Sequence, residues 1–315
     1  MIARRCLLAL TILVLLAAGG CKSSDSSGFA LSPPASPLPE KEAPPAYSFG
    51  IIYPMAHPFY EMITKLTEEA AKPHGIRLIV KAPEEANLEQ QIQMMETMIK
   101  QRVDGIAIDP IDPDALTPSI NKAIQAGIPV VCFESDAPAS HRLAYIGPNH
   151  FQGGALMGKV VDRLLKGQGM VLVESGLKSS GTHKERLDGM LQYLKRETRI
   201  QVLEVRYNEG SSERALFNME QMIDNHPHFD ALITLDIISS STSILVWKAK
   251  GLNRNLISFG MMPEVKEALY NGQMTSTISQ NEQAWGKQII AQLLRASHGE
   301  TIPAAIYTDV VEVTK

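Results

Sequence analysis

The chain has 315 residues, and its 30 Lys and Arg residues against 34 Asp and Glu residues give a formal net charge of −4. No run rich in Lys or Arg occurs, which argues against a nucleic-acid-binding protein. The sequence also lacks the CxxC, HExxH, GxGxxG, GxSxG and P-loop patterns, so the common motifs for redox, zinc, nucleotide and serine-hydrolase chemistry are absent.

The N-terminus has the layout of a secretory signal peptide. Arg4 and Arg5 precede an apolar stretch over residues 6–18, which is too short to span a bilayer as a helix. Small residues before Cys21 are typical of the bacterial lipoprotein cleavage box, in which the cysteine is acylated. We therefore expect a signal peptide over residues 1–20 and a lipid anchor at Cys21, with plain secretion as the alternative.

Residues 21–46 combine the expected acylated cysteine with a stretch rich in Pro and Ser. Such a stretch buries too little apolar surface to order itself, so it predicts a flexible tether. The remaining chain, from residue 47 to 315, is longer than a usual single domain and favours two lobes. Cys132 lies inside an apolar run and is predicted to be a core residue.

Apolar runs typical of buried strands alternate with helical patterns along the rest of the chain. The first half predicts strands over 49–53, 76–80, 105–108 and 128–133, with helices after each of the first three. The second half predicts strands over 170–173, 202–205, 231–235, 256–259 and 275–278, and helices over 150–166, 182–195, 212–224, 239–250, 263–271 and 282–296. This order predicts an α/β fold with two doubly wound parallel-sheet lobes, whose ligand binds beyond the carboxyl ends of the strands.

The residues at those strand ends form a series of short motifs. In chain order they include His57-Pro-Phe-Tyr60, Val103–Pro110, Gly127–Val131, Glu134–Pro138, Tyr145–Gly147, Glu185–Gly189 and Ser276–Gln280. Together they resemble the type I periplasmic sugar-binding proteins, the ribose-binding-like family, over residues 47–315. The resemblance implies a clamp with a three-segment hinge near Pro148–Asn149, Gln280–Asn281 and Thr308–Asp309. One lobe would comprise 47–148 plus 281–308, and the other 149–280 plus 309–315.

The resemblance also implies a ligand site for a sugar or sugar-like polyol. Aromatic faces cover the apolar side of a sugar ring, and planar polar side chains bind its hydroxyl groups. Glu134 replaces the usual Asp by a longer carboxylate, His57 takes a place often held by Asn, and Arg186 is expected to anchor structure. The predicted ligand contacts are His57, Phe59, Tyr60, Glu134, Asp136, Lys184, Asp236 and Gln280.

Two positions depart from the family pattern. Gly210 stands where the family often has a stacking aromatic residue, and Gly260 stands where it commonly has an Asp that grips the ligand. These changes leave open a larger sugar, a furanose, a polyol, a nucleoside-like molecule or a degenerate site.

The leading functional prediction is a lipid-anchored binding protein on the extracytoplasmic face of the cell membrane, which delivers its ligand to an ABC permease. The alternative is the same site presenting its ligand to a membrane histidine kinase. A repressor of the same fold would need an N-terminal helix-turn-helix, and a glycosidase could use paired carboxylates such as Glu134 and Asp236. We expect neither of these, and we predict a monomer without catalysis, cofactor, metal or nucleic-acid partner.

Overall fold

The computed structural model describes residues 45–315. The predicted signal peptide, Cys21 and nearly all of the predicted tether lie outside the described residues. Among the helices that are described, none has the length and apolar character needed to cross a membrane.

The first lobe begins with alternating strands and helices. Its elements are β1 (Tyr47–Ile52), α1 (Pro58–Ala71), β2 (Ile76–Lys81), α2 (Leu88–Gln101), β3 (Gly105–Ile108), α3 (Pro113–Gln125), β4 (Val130–Phe133) and β5 (Ala144–Gly147). The second lobe continues the alternation with α4 (His150–Leu165), β6 (Gln168–Ser175), α5 (Gly181–Glu197), β7 (Arg199–Tyr207), α6 (Ser212–Asn225), β8 (Ala231–Thr234), α7 (Ile237–Lys250), β9 (Asn255–Phe259), α8 (Pro263–Asn271) and β10 (Ser276–Ser279). The chain ends with α9 (Trp285–Ser297), β11 (Ala305–Tyr307) and β12 (Val311–Val313).

These strands form two six-stranded sheets. The first has the order β11-β5-β4-β3-β1-β2 and is parallel throughout. The second has the order β12-β10-β9-β8-β6-β7, and its pairs are parallel except for β12, which runs antiparallel to β10. The chain passes from one sheet to the other after β5, after β10 and after β11. The predicted fold class is confirmed, while β5, β11 and β12 are strands that the apolar pattern did not reveal.

Side-chain acceptors at the helix N-termini explain where several helices begin. Asn87, Asp112, Asn149 and Ser180 each accept a hydrogen bond from a backbone N–H in the first turn of α2, α3, α4 and α5, respectively. This satisfies donors that have no partner within the helix. The caps fix the residue at which each helix begins, and therefore which residues lie in the loop between the strand and the helix.

Helices α4 and α5 pack unusually closely because glycines face each other across their interface. A Cβ atom on Gly154 would lie 2.0 Å from the carbonyl oxygen of Arg186, and one on Gly189 would lie 2.1 Å from the carbonyl oxygen of Phe151. Any larger side chain would force the helices apart. Gly154 therefore lets the backbone of Arg186 lie directly against α4.

The first lobe has an aromatic core on the face covered by α1 and α9. Trp285 is fully buried and packs edge-on against Phe59, with a ring separation of 5.9 Å, and near Phe133 at 6.4 Å. Cys132 on β4 is also fully buried, which confirms the prediction that it is a core residue. The aromatic core supports the segment that begins α1 and therefore one wall of the cleft.

Candidate functional site

A small cavity of about 50 Å³ lies where the strands of both sheets end. The first lobe lines it with residues that follow β1, β3 and β4, and the second lobe with residues that follow β6, β7 and β8 and with α5. This is the edge at which open α/β sheets bind ligands. The lining side chains with ionisable groups are Tyr60, Asp109, Glu134, His183, Arg186 and Asp236.

The three predicted ligand contacts in the segment His57–Tyr60 have two different positions in the structure. His57 is the N-cap of α1, and its Nδ1 accepts a hydrogen bond from the backbone N–H of Phe59 at 3.2 Å. Phe59 and Tyr60 line the cavity. The Tyr60 ring stacks on Tyr53 at 4.7 Å, and its hydroxyl donates to Asp109 Oδ2 at 2.8 Å. The two rings give the cavity a rigid apolar wall, whereas His57 holds the helix start.

Asp109 and Glu134 form the acidic wall on the first lobe. Asp109 follows β3, and its Oδ1 accepts a hydrogen bond from the backbone N–H of Ser135 at 3.2 Å. Burial, reinforced by the charge of Glu134, raises the pKa of Asp109 to about 7. Two carboxyl groups therefore share a site that is almost closed to solvent.

Glu134 follows β4 in a left-handed backbone conformation, with φ of 56°. Such a conformation is uncommon for a residue other than Gly, and functional sites are where it tends to be retained. Burial raises the pKa of the Glu134 carboxyl, and the neighbouring Arg186 guanidinium opposes that rise. Glu134 Oε1 is paired with Arg186, but Oε2 is buried and has no hydrogen-bond partner within residues 45–315.

Arg186 reaches from the second lobe to the first and makes four hydrogen bonds. It is 2 % exposed, and its guanidinium lies 4.0 Å from the centre of the Phe259 ring. Besides Glu134 it donates to Gln280 Oε1 at 2.8 Å, to the Leu235 carbonyl at 3.1 Å and to His150 Nδ1 at 3.2 Å. The sequence interpretation gave Arg186 a structural role, whereas the structure places it in the cavity wall.

His150 connects this arginine to the first lobe. Its Nε2 lies 2.6 Å from the Glu134 carbonyl oxygen and 3.0 Å from the Tyr145 hydroxyl. Because Nδ1 accepts from Arg186, the proton of the neutral ring is on Nε2. Burial and the Arg186 charge lower the pKa of His150 well below its ordinary value, so the ring stays neutral.

The second lobe contributes a polar wall. Asp236 is the N-cap of α7 and accepts from the backbone N–H groups of Ile238 and Ser239 at 3.0 and 3.1 Å and from Asn208 Nδ2 at 3.1 Å. Asp236 lines the cavity, as does Asn208. Gln280 is 1 % exposed and does not line the cavity, but its Oε1 accepts a hydrogen bond from Arg186. The hydrogen bonds to Asp236 stabilise its negative charge at the positive end of a helix.

His183 also lines the cavity, although its sequence context gave no hint of a ligand role. Its Nδ1 accepts from the backbone N–H of Leu177 at 2.9 Å. Burial lowers the pKa of His183 to about 4, so the ring is neutral at ordinary pH. With Nδ1 occupied as an acceptor, Nε2 carries the proton and can donate a hydrogen bond.

The structure does not bring Lys184 or Asp136 into this cavity. Lys184 lies on the outer face of α5, with its side chain 70 % exposed and paired with Asp188. The reason is helical geometry, because residues two positions apart point to opposite sides of a helix, and Arg186 occupies the inward side. Asp136 is paired with Arg142 on a neighbouring outer groove.

The two glycines that depart from the family pattern have different surroundings. Gly210 lines the cavity with φ of 81°, and a Cβ atom there would lie 2.9 Å from the Cβ of Ala86 on the first lobe. An aromatic ring at this position would therefore hold the lobes apart. Gly260 has φ of 96°, and the nearest atom to a Cβ there would be Ile237 Cγ2 at 3.8 Å.

Four cavity residues were missed as ligand contacts by sequence reasoning. Position at a strand end could have indicated two of them, since Asp109 follows β3 and Asn208 follows β7. Arg186 lies one helical turn after Thr182, and the Thr182 hydroxyl donates to Ser135 of the first lobe at 3.2 Å. His183 lies next to Thr182, but a helical pattern alone does not show which residues of α5 approach the other lobe.

Comparisons with known proteins agree with this geometry. The sequence model for the periplasmic binding protein domain matches residues 50–301. The chain belongs to this family. Its relatives include the ribose import binding protein RbsB of Bacillus subtilis (strain 168), which is 21% identical over 79% of this chain and 81% of that protein.

Two solved structures have the same fold. An ABC transporter solute-binding protein from Burkholderia graminis C4D1M in complex with D-arabinose has a TM-score of 0.81 and 26% identity, covering 87% of this chain and 97% of its own. The XylFII–LytSN complex contains a chain with a TM-score of 0.80 and 22% identity, covering 86% and 98%, respectively. At that identity the second likeness supports the fold alone.

Proposed function

We propose that the protein is an extracytoplasmic solute-binding protein that captures a small polyhydroxylated ligand, a sugar or polyol, between its two lobes. The observation that carries this proposal is the cavity at the strand ends, where the Arg186–Glu134 pair joins the lobes and Glu134 Oε2 lacks a partner. A ligand hydroxyl would supply that missing hydrogen bond. A relative named as a ribose import binding protein and a structural neighbour solved in complex with D-arabinose support the ligand class.

In this proposal each wall of the cavity has a separate task. Phe59 and Tyr60 cover one apolar face of the ligand, Glu134 accepts from hydroxyl groups, and Arg186 donates to ligand oxygens. Asp236 and Gln280 complete the polar wall, the latter by holding Arg186 in place. Binding without turnover follows, because such contacts need no proton transfer to or from the ligand.

Ligand entry requires the lobes to separate, and we propose that the three passages between the sheets act as the hinge. They lie near Pro148–Asn149, Gln280–Asn281 and Thr308–Asp309, and they would divide the chain into 47–148 plus 281–308 and 149–280 plus 309–315. Asn281 has a left-handed backbone with φ of 56°, so one of the three passages already has an irregular conformation. Hinge closure around a ligand is a common use of such segments.

The binding proposal can be tested by a thermal-shift screen of the purified protein against pentoses, hexoses, inositols and furanosides. A ligand at a hundred times its dissociation constant should stabilise the folded state by about 2.7 kcal/mol, which raises the melting temperature by a few degrees. Asp236→Ala removes an acceptor from the cavity wall and should remove the shift, and Asp188→Asn on the exposed face of α5 should keep it. Ligand recovered chemically altered, or a panel without any shift, would contradict the proposal.

For the cellular role we propose delivery to an ABC permease from a position on the membrane that is fixed by acylated Cys21. Sensing is the second candidate, because the XylFII–LytSN complex contains a chain of the same fold. Deleting the gene should abolish uptake of the radiolabelled ligand if the role is transport. Intact uptake with loss of ligand-induced transcription would favour sensing.

The anchor and the monomeric state are proposals with their own tests. Metabolic labelling with a radioactive fatty acid should mark the protein, and Cys21→Ser should abolish the label. Light scattering on the purified protein should give the mass of one chain.

A further inference from the structure

The charges that face the cavity do not balance. Three carboxyl groups line it, those of Asp109, Glu134 and Asp236, whereas Arg186 is the only Lys or Arg among the described residues that line it. The imidazole of His183 lines the cavity, and that of His150 contacts Arg186. Both stay neutral because burial lowers the pKa of each. With all three carboxyl groups ionised, the site would carry two uncompensated negative charges.

Arg186, the cation that lines the cavity, already has hydrogen-bond and ion-pair partners. The Arg186 guanidinium pairs with Glu134 Oε1, donates to Gln280 and to the Leu235 carbonyl, and lies against Phe259. Its geometry leaves Glu134 Oε2 without a partner, and no hydrogen bond joins it to Asp109 or Asp236. Arg186 therefore neutralises one carboxylate and leaves the rest of the acidic wall without a counter-charge.

The three carboxyl groups do not share the same surroundings. Asp236 has the backbone N–H groups at the start of α7 and Asn208 as donors, so its negative charge is stabilised within the second lobe. Asp109 has two donors, the Tyr60 hydroxyl and the Ser135 backbone, and it faces the charge of Glu134. Because Arg186 neutralises Glu134, the uncompensated charge lies at Asp109, which shares the first-lobe wall with Glu134 and the Tyr60 ring.

A neutral sugar could satisfy the hydrogen-bonding needs of this wall but would leave two buried carboxyl groups facing each other. A protonated amine supplies both the donors and the missing positive charge, and charge-assisted hydrogen bonds are stronger than neutral ones. The Tyr60 ring beside the acidic pair adds a face that attracts cations.

We infer that the ligand is a polyhydroxylated compound with a protonated amine, such as an amino sugar or an aminocyclitol, whose ammonium group binds between Asp109 and Glu134 Oε2. Its hydroxyl groups are then bound by Arg186 and by the Nε2–H of His183. This inference rests on the proposed function and narrows its ligand class.

The test compares ligands that differ in charge at one position of the same ring. D-glucosamine, D-galactosamine and D-mannosamine are each titrated calorimetrically beside the parent hexose and the N-acetyl derivative, and an amino-inositol is titrated beside its parent inositol. At least one amine should bind about ten-fold or more tightly than both its neutral counterparts, a difference of about 1.4 kcal/mol. The preference should weaken as salt concentration rises, less steeply than for exposed charges.

Variants of the two carboxyl residues show whether they cause the preference for the amine. Asp109→Asn keeps the shape of the side chain and its acceptor for Tyr60, so it should reduce the amine-to-hexose affinity ratio to near one while parent hexose binding persists. Glu134→Gln should act in the same direction. Asp114→Asn removes a carboxylate from the exposed surface of the same lobe and should leave the ratio unchanged.

The outcomes separate this inference from the broader proposal. A parent sugar or inositol that binds as tightly as its amine would overturn the inference and leave the sugar-binding function intact. An amine preference that survives Asp109→Asn and Glu134→Gln would also overturn it, because the charge would then be recognised elsewhere. Absence of binding by every amine and every neutral compound would contradict both.

Discussion

Replacing Arg186 by Met would test whether the contact between the lobes exists in solution. Methionine is of similar length and removes the charge and all four hydrogen bonds of the guanidinium. The change leaves Glu134 as a carboxylate that is 8 % exposed, and it leaves the acceptors on Gln280 and Leu235 without their donor. Breaking a buried ion pair by removing one partner typically costs about 3–5 kcal/mol.

We therefore expect Arg186→Met to lower the free energy of unfolding by about 3–5 kcal/mol, measured by urea denaturation. Arg163→Met is the matched control, because Arg163 pairs with Glu312 at a surface where its side chain is 56 % exposed. Exposed pairs contribute about 0–1 kcal/mol. The double variant Arg186→Met with Glu134→Gln should be less destabilised than the sum of the single changes, since no unpaired carboxylate is left behind.

A loss for Arg186→Met no larger than that for Arg163→Met would refute this reasoning. Glu134 would then be hydrated in the folded protein, which means that the lobes stand apart and the pair forms only on closure. Strict additivity of the two single changes in the double variant would lead independently to the same conclusion.

Three further changes test other parts of the fold by the same denaturation measurement. Burial raises the pKa of Glu174 from its ordinary value of 4.5 to about 8, so the folded chain keeps a proton that the unfolded chain releases and stability falls as pH rises through this interval. Glu174→Gln should remove this part of the fall, on the order of 5 kcal/mol, and an unchanged pH slope would contradict it. Gly154→Ala should cost about 1–3 kcal/mol, because its Cβ would meet the Arg186 carbonyl oxygen, whereas Gly181→Ala has nothing within 4 Å and should cost less than about 0.5 kcal/mol. Trp285→Ala should cost about 3–5 kcal/mol, since the indole is fully buried, and a loss under about 1 kcal/mol would contradict its place in the core.

The alternation of strands and helices could be predicted from the sequence because parallel strands are buried on both faces. Such strands read as continuous apolar runs, and β1, β3, β4 and β8 are of this kind. The strands that escaped prediction carry weaker signals. β11 and β12 have three residues each and are half-buried or exposed, so neither an apolar run nor an alternation can be recognised.

Residues of the candidate site could be predicted from the sequence only where their position in the chain determines the direction in which the side chain points. Glu134 directly follows β4 and Asp236 lies two residues after β8, and residues at such points lie at the ligand edge of their sheet. Lys184 and Arg186 lie within a helix, where two residues of separation reverse the direction of the side chain. The sequence interpretation chose Lys184, whereas the structure places Arg186 in the cavity wall, because the rotation of α5 depends on its packing against α4.

The sequence and the structure give different interpretations of Gly210. From the sequence, its lack of a side chain indicated a lost stacking contact for the ligand. In the structure its small size lets Ala86 approach from the other lobe, so the walls meet where a ring would otherwise stand. Among the described residues, Phe59 and Tyr60 are the aromatic residues that line the cavity, and Asn208, His183 and Asp236 line it from the second lobe. The first-lobe wall combines these aromatic rings with the carboxyl groups of Asp109 and Glu134, so the site favours a ligand that has an apolar face and polar groups at the edge of that face.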